Sequence, residues 1–153
     1  MSRGIQHLAV GVVTALLAVV LPVLTAPAAS AATTCSGTVT WASSLKKEPR
    51  AQLVIYYNSA NGGTNSACMY HAGSTYGKAL RTEVQISRCE AGWDESDTYC
   101  ITDKTSRTDS GRFRYYAGPV GVTGTKSRCV AAWGTIITSS GGLIRIDSNP
   151  EGC

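Results

Sequence analysis

The sequence predicts an all-β fold, a small disulfide-stapled β-sandwich or barrel built as a single domain. Three observations carry this. Short apolar or alternating runs recur through residues 33–153 at spacings of roughly 8–12 residues, separated by Gly, Asn and Ser turn signals. No part of that stretch sustains a 3.6-residue apolar period, so no amphipathic helix competes. All six cysteines, Cys35, Cys68, Cys89, Cys100, Cys129 and Cys153, fall inside it, and an even cysteine number in a small exported chain signals disulfides before metal or catalysis.

Residues 1–32 read as a signal peptide. Arg3 supplies the positive start, LAVGVVTALLAVVLPVL (8–24) the apolar core, and Ala29-Ser30-Ala31 a small-residue cleavage site. Pro22 and the small-residue tail argue against a retained membrane anchor, and no later stretch is long and apolar enough to span a bilayer. A secreted, extracellular domain at 33–153 is therefore expected.

Within that domain, Thr38 to Trp41 predicts a short strand ending in the charged LKKEPR connection. AQLVIYY (51–57) predicts a strand buried on both faces in its middle. NSANGGTNS is a hairpin loop, because Asn-Gly-Gly takes positive φ readily, and SACMYH returns as its partner. HAGSTYGKALR is too glycine-rich to assign as helix. TEVQISRC alternates, with Val84 and Ile86 on one face. EAGWDESDTY, between Cys89 and Cys100, is an acidic loop, and ITDKTSRTDSGR reads as a polar loop. The densest aromatic and β-branched run is Phe113–Ile137. There Phe113–Tyr116 is expected as strand, Ala117-Gly118-Pro119 as a break, and Val120/Val122 as the next strand. Cys129 and Trp133 share one face of a further strand, with Trp133 expected as a core anchor beside a disulfide. SSGG between TII and LIRI signals a hairpin. Six cysteines admit many connectivities; sequential pairing is expected, with Cys89–Cys100 closing a local loop.

The charge balance, 14 Lys+Arg against 10 Asp+Glu, is mildly basic and loses one cation with the leader. The cations are scattered, and only Lys46-Lys47 are adjacent, so no basic stripe with stacking aromatics points to nucleic acid. The cysteines lack C-x₂-C spacing and histidine neighbours, so no metal site and no cofactor are expected. His71 is the sole histidine beyond the leader and reads as a polar strand-end residue; no G-x-S-x-G elbow accompanies it. Glu83, Glu90, Asp94, Glu95, Asp97 and Asp103 cluster in sequence. An acidic loop meets the carboxylate spacing of a glycosidase by accident, and it matches no EF-hand. Trp93 among these carboxylates, on a loop closed by cysteines, has the composition of a partner-facing anchor inside a polar rim. Trp93, Asp94, Glu95 and Asp97 are the candidate partner-binding residues, with Trp41 beside Lys46-Lys47 as the second choice.

RYYAGPV (Arg114–Val120), followed by C-V-x-x-W-G (Cys129–Gly134), resembles the spore-associated proteins of actinobacteria. LVIYYNSANGGTNSAC (53–68) is similar to that family's first hairpin. The likeness covers most of residues 35–153. The chain departs from it in the Cys89–Cys100 insertion and in Ala132 before Trp133. The resemblance implies a small exported protein with no enzymatic activity and no cofactor. Similarity of class alone extends this to adaptor subunits of secreted, umbrella-shaped antibacterial toxins. The function expected is a non-enzymatic secreted interaction domain. Its partners would be other secreted proteins of a toxin particle or spore-surface assembly, without nucleic acid and without a membrane span after processing. The alternatives are an inhibitor of a secreted hydrolase, a carbohydrate-binding module and, last, an enzyme using Glu83 or Asp94.

Overall fold

The computed structural model describes residues 35–153; the leader expected at 1–32 lies outside them. Nine strands among the described residues build two packed sheets: β1 (Thr38–Ala42), β2 (Ala51–Asn58), β3 (Thr64–His71), β4 (Leu80–Cys89), β5 (Thr102–Thr105), β6 (Asp109–Phe113), β7 (Tyr116–Thr123), β8 (Val130–Ile137) and β9 (Leu143–Asp147). One sheet runs β1-β2-β3-β7. The other runs β5-β4-β8-β9, with β6 also pairing along β4, and every ladder is antiparallel. The result is a β-sandwich.

Period-2 alternation supplies the core between the sheets. Leu53 and Ile55 of β2, Ala67 and Met69 of β3, and Val120 and Val122 of β7 face Val84 and Ile86 of β4, with Val130, Ala132 and Ile136 of β8. Val54 is also buried, on the opposite face of β2 beside its register partner Cys68, so the middle of β2 is closed on both sides as expected. The β2–β3 and β8–β9 hairpins fall where Asn-Gly-Gly and Ser-Gly-Gly signal them, and the disulfides pair sequentially, as Cys35–Cys68, Cys89–Cys100 and Cys129–Cys153.

Three expectations are corrected. ITDKTSRTDSGR is no loop: it forms β5 and β6, two edge segments lying along β4 and interrupted at Ser106–Thr108. The break in the central run falls at Arg114-Tyr115, and β7 passes through Ala117-Gly118-Pro119. Gly118, at φ +103°, and Pro119 sit in a bulge opposite Cys68 and let the ladder resume at Val120↔Ala67. Trp133 is no core anchor. It shares its parity with Cys129, but this is the outer face of β8, where Trp133 is half-buried between its register partners Gln85 and Asp147. Its indole N–H donates to Gln85 Oε1 at 3.1 Å, and the Arg145 guanidinium lies 5.3 Å from the ring centroid. The glycine-rich 72–79 segment holds a single 3₁₀ turn at Gly73–Thr75.

Candidate functional site

The loop from Glu90 to Tyr99 leaves the end of β4 and returns into β5, and four kinds of contact fix it. At its base the Cys89–Cys100 disulfide is backed by the Glu90 N–H donating to the Ile101 carbonyl at 2.8 Å. Beneath it Asp103 accepts from Arg88 at 2.8 Å and from Arg128 at 2.8 Å, while Arg128 also donates to the Cys89 carbonyl. The Arg88 guanidinium, seconded by that of Arg128, holds the Asp103 carboxyl down to about 2. Mid-loop, Asp94 Oδ1 accepts from the Ser96 N–H at 2.7 Å and from its hydroxyl, and Asp97 Oδ2 accepts from the Asp94 N–H at 3.0 Å. The first is an Asx turn and the second a side chain reaching back three residues, so the two aspartates fix one turn from both ends. Finally Glu95 Oε1 accepts from the Gly152 N–H at 3.1 Å, tying the loop to the tail held by Cys129–Cys153.

Trp93 is half-buried. Its carbonyl lies 2.9 Å from the Cys129 sulfur, a contact and not a hydrogen bond, because a disulfide sulfur carries no proton. Its ring meets Tyr99 at 5.6 Å between centroids, tilted by 48°. Tyr99 is 70% exposed and Ile101 56%. Both belong to the apolar surface of this loop and were missed by sequence reasoning, although Tyr99 adjoins Cys100 and Ile101 follows it directly. Asp94 and Glu95 are exposed and Asp97 partly so, and all three carboxylates shape the loop as well as charging it.

The structure does not bring every candidate together. Trp41 of β1 packs against the core and lines a separate cleft of about 620 Å³ with Lys47, Glu48 and Arg145. Glu83 lies on the outer face of β4, six residues or about 20 Å along the strand from Cys89, bound to Arg81 at 2.9 Å and to the Ser110 hydroxyl at 2.9 Å. It does not join the acidic loop that its sequence position suggests. His71 sits at the end of β3 as expected, yet it is buried between the sheets and hydrogen-bonded through both ring nitrogens. Among the described residues no group of His, Cys, Asp and Glu side chains is arranged to hold a metal ion.

A second cluster was invisible in the sequence. Lys78, Arg81, Arg112 and Arg114, scattered along the chain, converge on one cleft of about 570 Å³. Beside it Tyr76 and Tyr115, both exposed, meet with ring centroids 5.1 Å apart.

Comparison with known proteins adds nothing to these observations: no family model, curated protein or solved structure matches the chain.

Proposed function

We propose that this chain is a non-enzymatic secreted interaction domain, an adaptor or structural subunit of an extracellular assembly such as an antibacterial toxin particle or a spore-surface layer. It presents the Cys89–Cys100 loop to a protein partner. The observation that carries this reading is the combination of a backbone tied down at several points and exposed aromatic surface in that loop. A disulfide, an ion-pair cluster, the Asp94 and Asp97 side-chain bonds to the loop backbone and the Glu95–Gly152 hydrogen bond hold the loop, while Tyr99 and Ile101 stand in solvent around half-buried Trp93. A loop already ordered before binding loses little entropy on association, and aromatic anchors ringed by charge are where interface energy concentrates. The carboxylates of Asp94 and Glu95 at its margin suit a basic partner surface.

Affinity purification of the protein from culture supernatant tests the class, and a stoichiometric protein partner is expected. Elution alone at monomer mass overturns it. The site is tested by Trp93→Ala and Tyr99→Ala. Trp93→Ala is expected to weaken partner binding by about 2 kcal/mol or more and to leave the melting temperature nearly unchanged. Lost stability with intact affinity of the folded fraction instead makes Trp93 a local packing residue and removes the loop from the interface.

A further inference from the structure

We propose that the cleft bordered by Lys78, Arg81, Arg112 and Arg114 binds the phosphate group of a sugar phosphate, with the attached ring resting on the tyrosines beside it. This site is independent of the loop at Trp93. The cleft opens at the Leu80 end of β4 and the loop leaves the Cys89 end, about 30 Å away along a strand rising about 3.3 Å per residue.

The cations reach the cleft from three places. Lys78 and Arg81 come from the entry to β4, Arg112 from β6, and Arg114 from the turn before β7. Two of the guanidiniums are positioned by the backbone. Arg112 Nη2 donates to the Ala79 carbonyl at 2.9 Å, and Arg114 Nη1 donates to the Gly77 carbonyl at 2.9 Å. Each bond uses one of five N–H donors on a planar fork, so the rest stay available to a tetrahedral oxyanion. Among the described residues Lys78, Arg112 and Arg114 have no carboxylate partner, and Arg81 alone is paired, with Glu83 at 2.9 Å. Four like charges around one opening, with a single carboxylate at the margin, repel one another; an entering dianion relieves that repulsion. A phosphate monoester brings nearly two negative charges and three acceptor oxygens at neutral pH.

The ring specificity comes from Tyr76 and Tyr115. They directly adjoin the lining residues Gly77 and Arg114, and the Gly77 N–H donates to the Arg114 carbonyl at 2.9 Å, holding the two segments side by side. The rings are tilted 57° to one another. Together they make no flat two-ring platform for a nucleobase. Each instead offers one face and a phenol hydroxyl, which suits a saccharide with an apolar C–H face and hydroxyls at its edge.

The test is an NMR titration of the protein with inorganic phosphate, glucose 6-phosphate and glucose. Saturable shifts with both phosphates are expected at residues 77–81 and 112–115. Glucose 6-phosphate should bind more tightly than inorganic phosphate, and glucose should not saturate. Lys78 is exposed and free of ion pairs, so Lys78→Glu keeps the fold and is expected to lower both phosphate affinities by about tenfold or more. Arg112→Gln, which removes the charge, should act in the same direction. Tyr76→Ala should bring glucose 6-phosphate down to the affinity of inorganic phosphate and leave the latter unchanged. Absence of saturation with either phosphate overturns the site, as does unchanged affinity in both charge variants. Undiminished glucose 6-phosphate binding in Tyr76→Ala overturns the sugar assignment.

Discussion

His71 Nδ1 lies 3.1 Å from the Thr75 carbonyl and Nε2 2.7 Å from Thr82 Oγ1, in a position 4% exposed. A carbonyl only accepts, so Nδ1 carries the proton and Nε2 accepts from the Thr82 hydroxyl. Burial pushes the imidazole below its usual range, against an upward pull from the Thr75 carbonyl. If Nε2 gains a proton it must donate to Thr82 Oγ1, and that hydroxyl can turn to the Leu80 carbonyl 3.2 Å away. What opposes protonation is therefore desolvation and not a broken bond. The unfolded chain takes up this proton first as pH falls below about 6.5. Stability is therefore full above that pH and declines below it, until the depressed folded-state value is passed. Urea midpoints at pH 7.5 and 5.5 check this: wild type should drop more between the two than His71→Gln, and equal drops would refute it. Asp103 governs a lower window. Its carboxyl is held at about 2, chiefly by the hydrogen bond from Arg88, below the ordinary carboxylate value. Its contribution is thus present above about pH 4 and is lost as pH falls towards 2. Asp103→Asn should lower the urea midpoint at pH 7 and flatten the loss of stability between pH 4 and 2. An acid limb unchanged from wild type counts against the Arg88–Asp103–Arg128 cluster as its source.

Strands with a continuous apolar run or a clear alternation were legible in the sequence: β2 and its hairpin partner β3, largely buried on both faces, β4, and the β8–β9 hairpin with its glycine turn. The edge segments β5 and β6 were not. Every residue of β5 is exposed, so its ladder to β4 and polar side-chain bonds such as those of Asp103 hold it, and no apolar period records them. The facing of Trp133 failed for a different reason. Gly134, not Trp133, points into the core, where a Cβ at that position would come within 2.8 Å of Met69 Sδ. The small residues of β8 face inward because β3 fills the space with methionine, and a strand's own pattern cannot report its neighbour's volume. The bulge in β7 shows the same dependence. Gly118 takes φ +103°, a Cβ there would lie 2.7 Å from the Ala67 carbonyl oxygen, and its N–H donates to Asp109 Oδ2 at 2.6 Å. The misplaced break came from reading Gly-Pro as punctuation when it accommodates an extra residue within the strand. Gly118→Ala adds both a strained φ and a backbone clash, so a loss of more than about 1 kcal/mol is expected, read as a lowered denaturant midpoint. A midpoint equal to wild type would mean that β3 yields to the methyl group without cost.

At the scale of the molecule, the cysteine spacing marked out one of the two proposed surfaces and could not mark out the other. The Trp93 loop is local in sequence, bounded by its own disulfide. The cationic cleft gathers the start of β4, the end of β6 and the β8–β9 turn, so only the sandwich topology creates it. The disulfides also link parts of the fold that look separate. Cys129–Cys153 holds the C-terminal tail on β8, where Val130 and Glu151 exchange backbone hydrogen bonds of 2.9 and 2.8 Å. That tail carries the Gly152 N–H that Glu95 accepts, and Cys129 itself touches the Trp93 carbonyl. Burial pushes the Glu151 carboxyl upward, and the nearby charge of Glu95 adds to the effect, a second sign that the loop and the tail are pressed together. Replacing both cysteines, Cys129→Ser with Cys153→Ser, opens a link spanning 24 positions and should cost about 3 kcal/mol of global stability through the freed unfolded chain. The same variant should also speed amide exchange in residues 90–99 beyond the rise that the global loss produces at residues 77–81, because only the loop leans on the tail. If the tail merely adds stability, exchange rises across the molecule in proportion to the lost stability, with no excess in the loop. Excess exchange confined to the loop, accompanied by weaker partner binding, would establish that the terminal disulfide organises the surface carrying Trp93 and Tyr99.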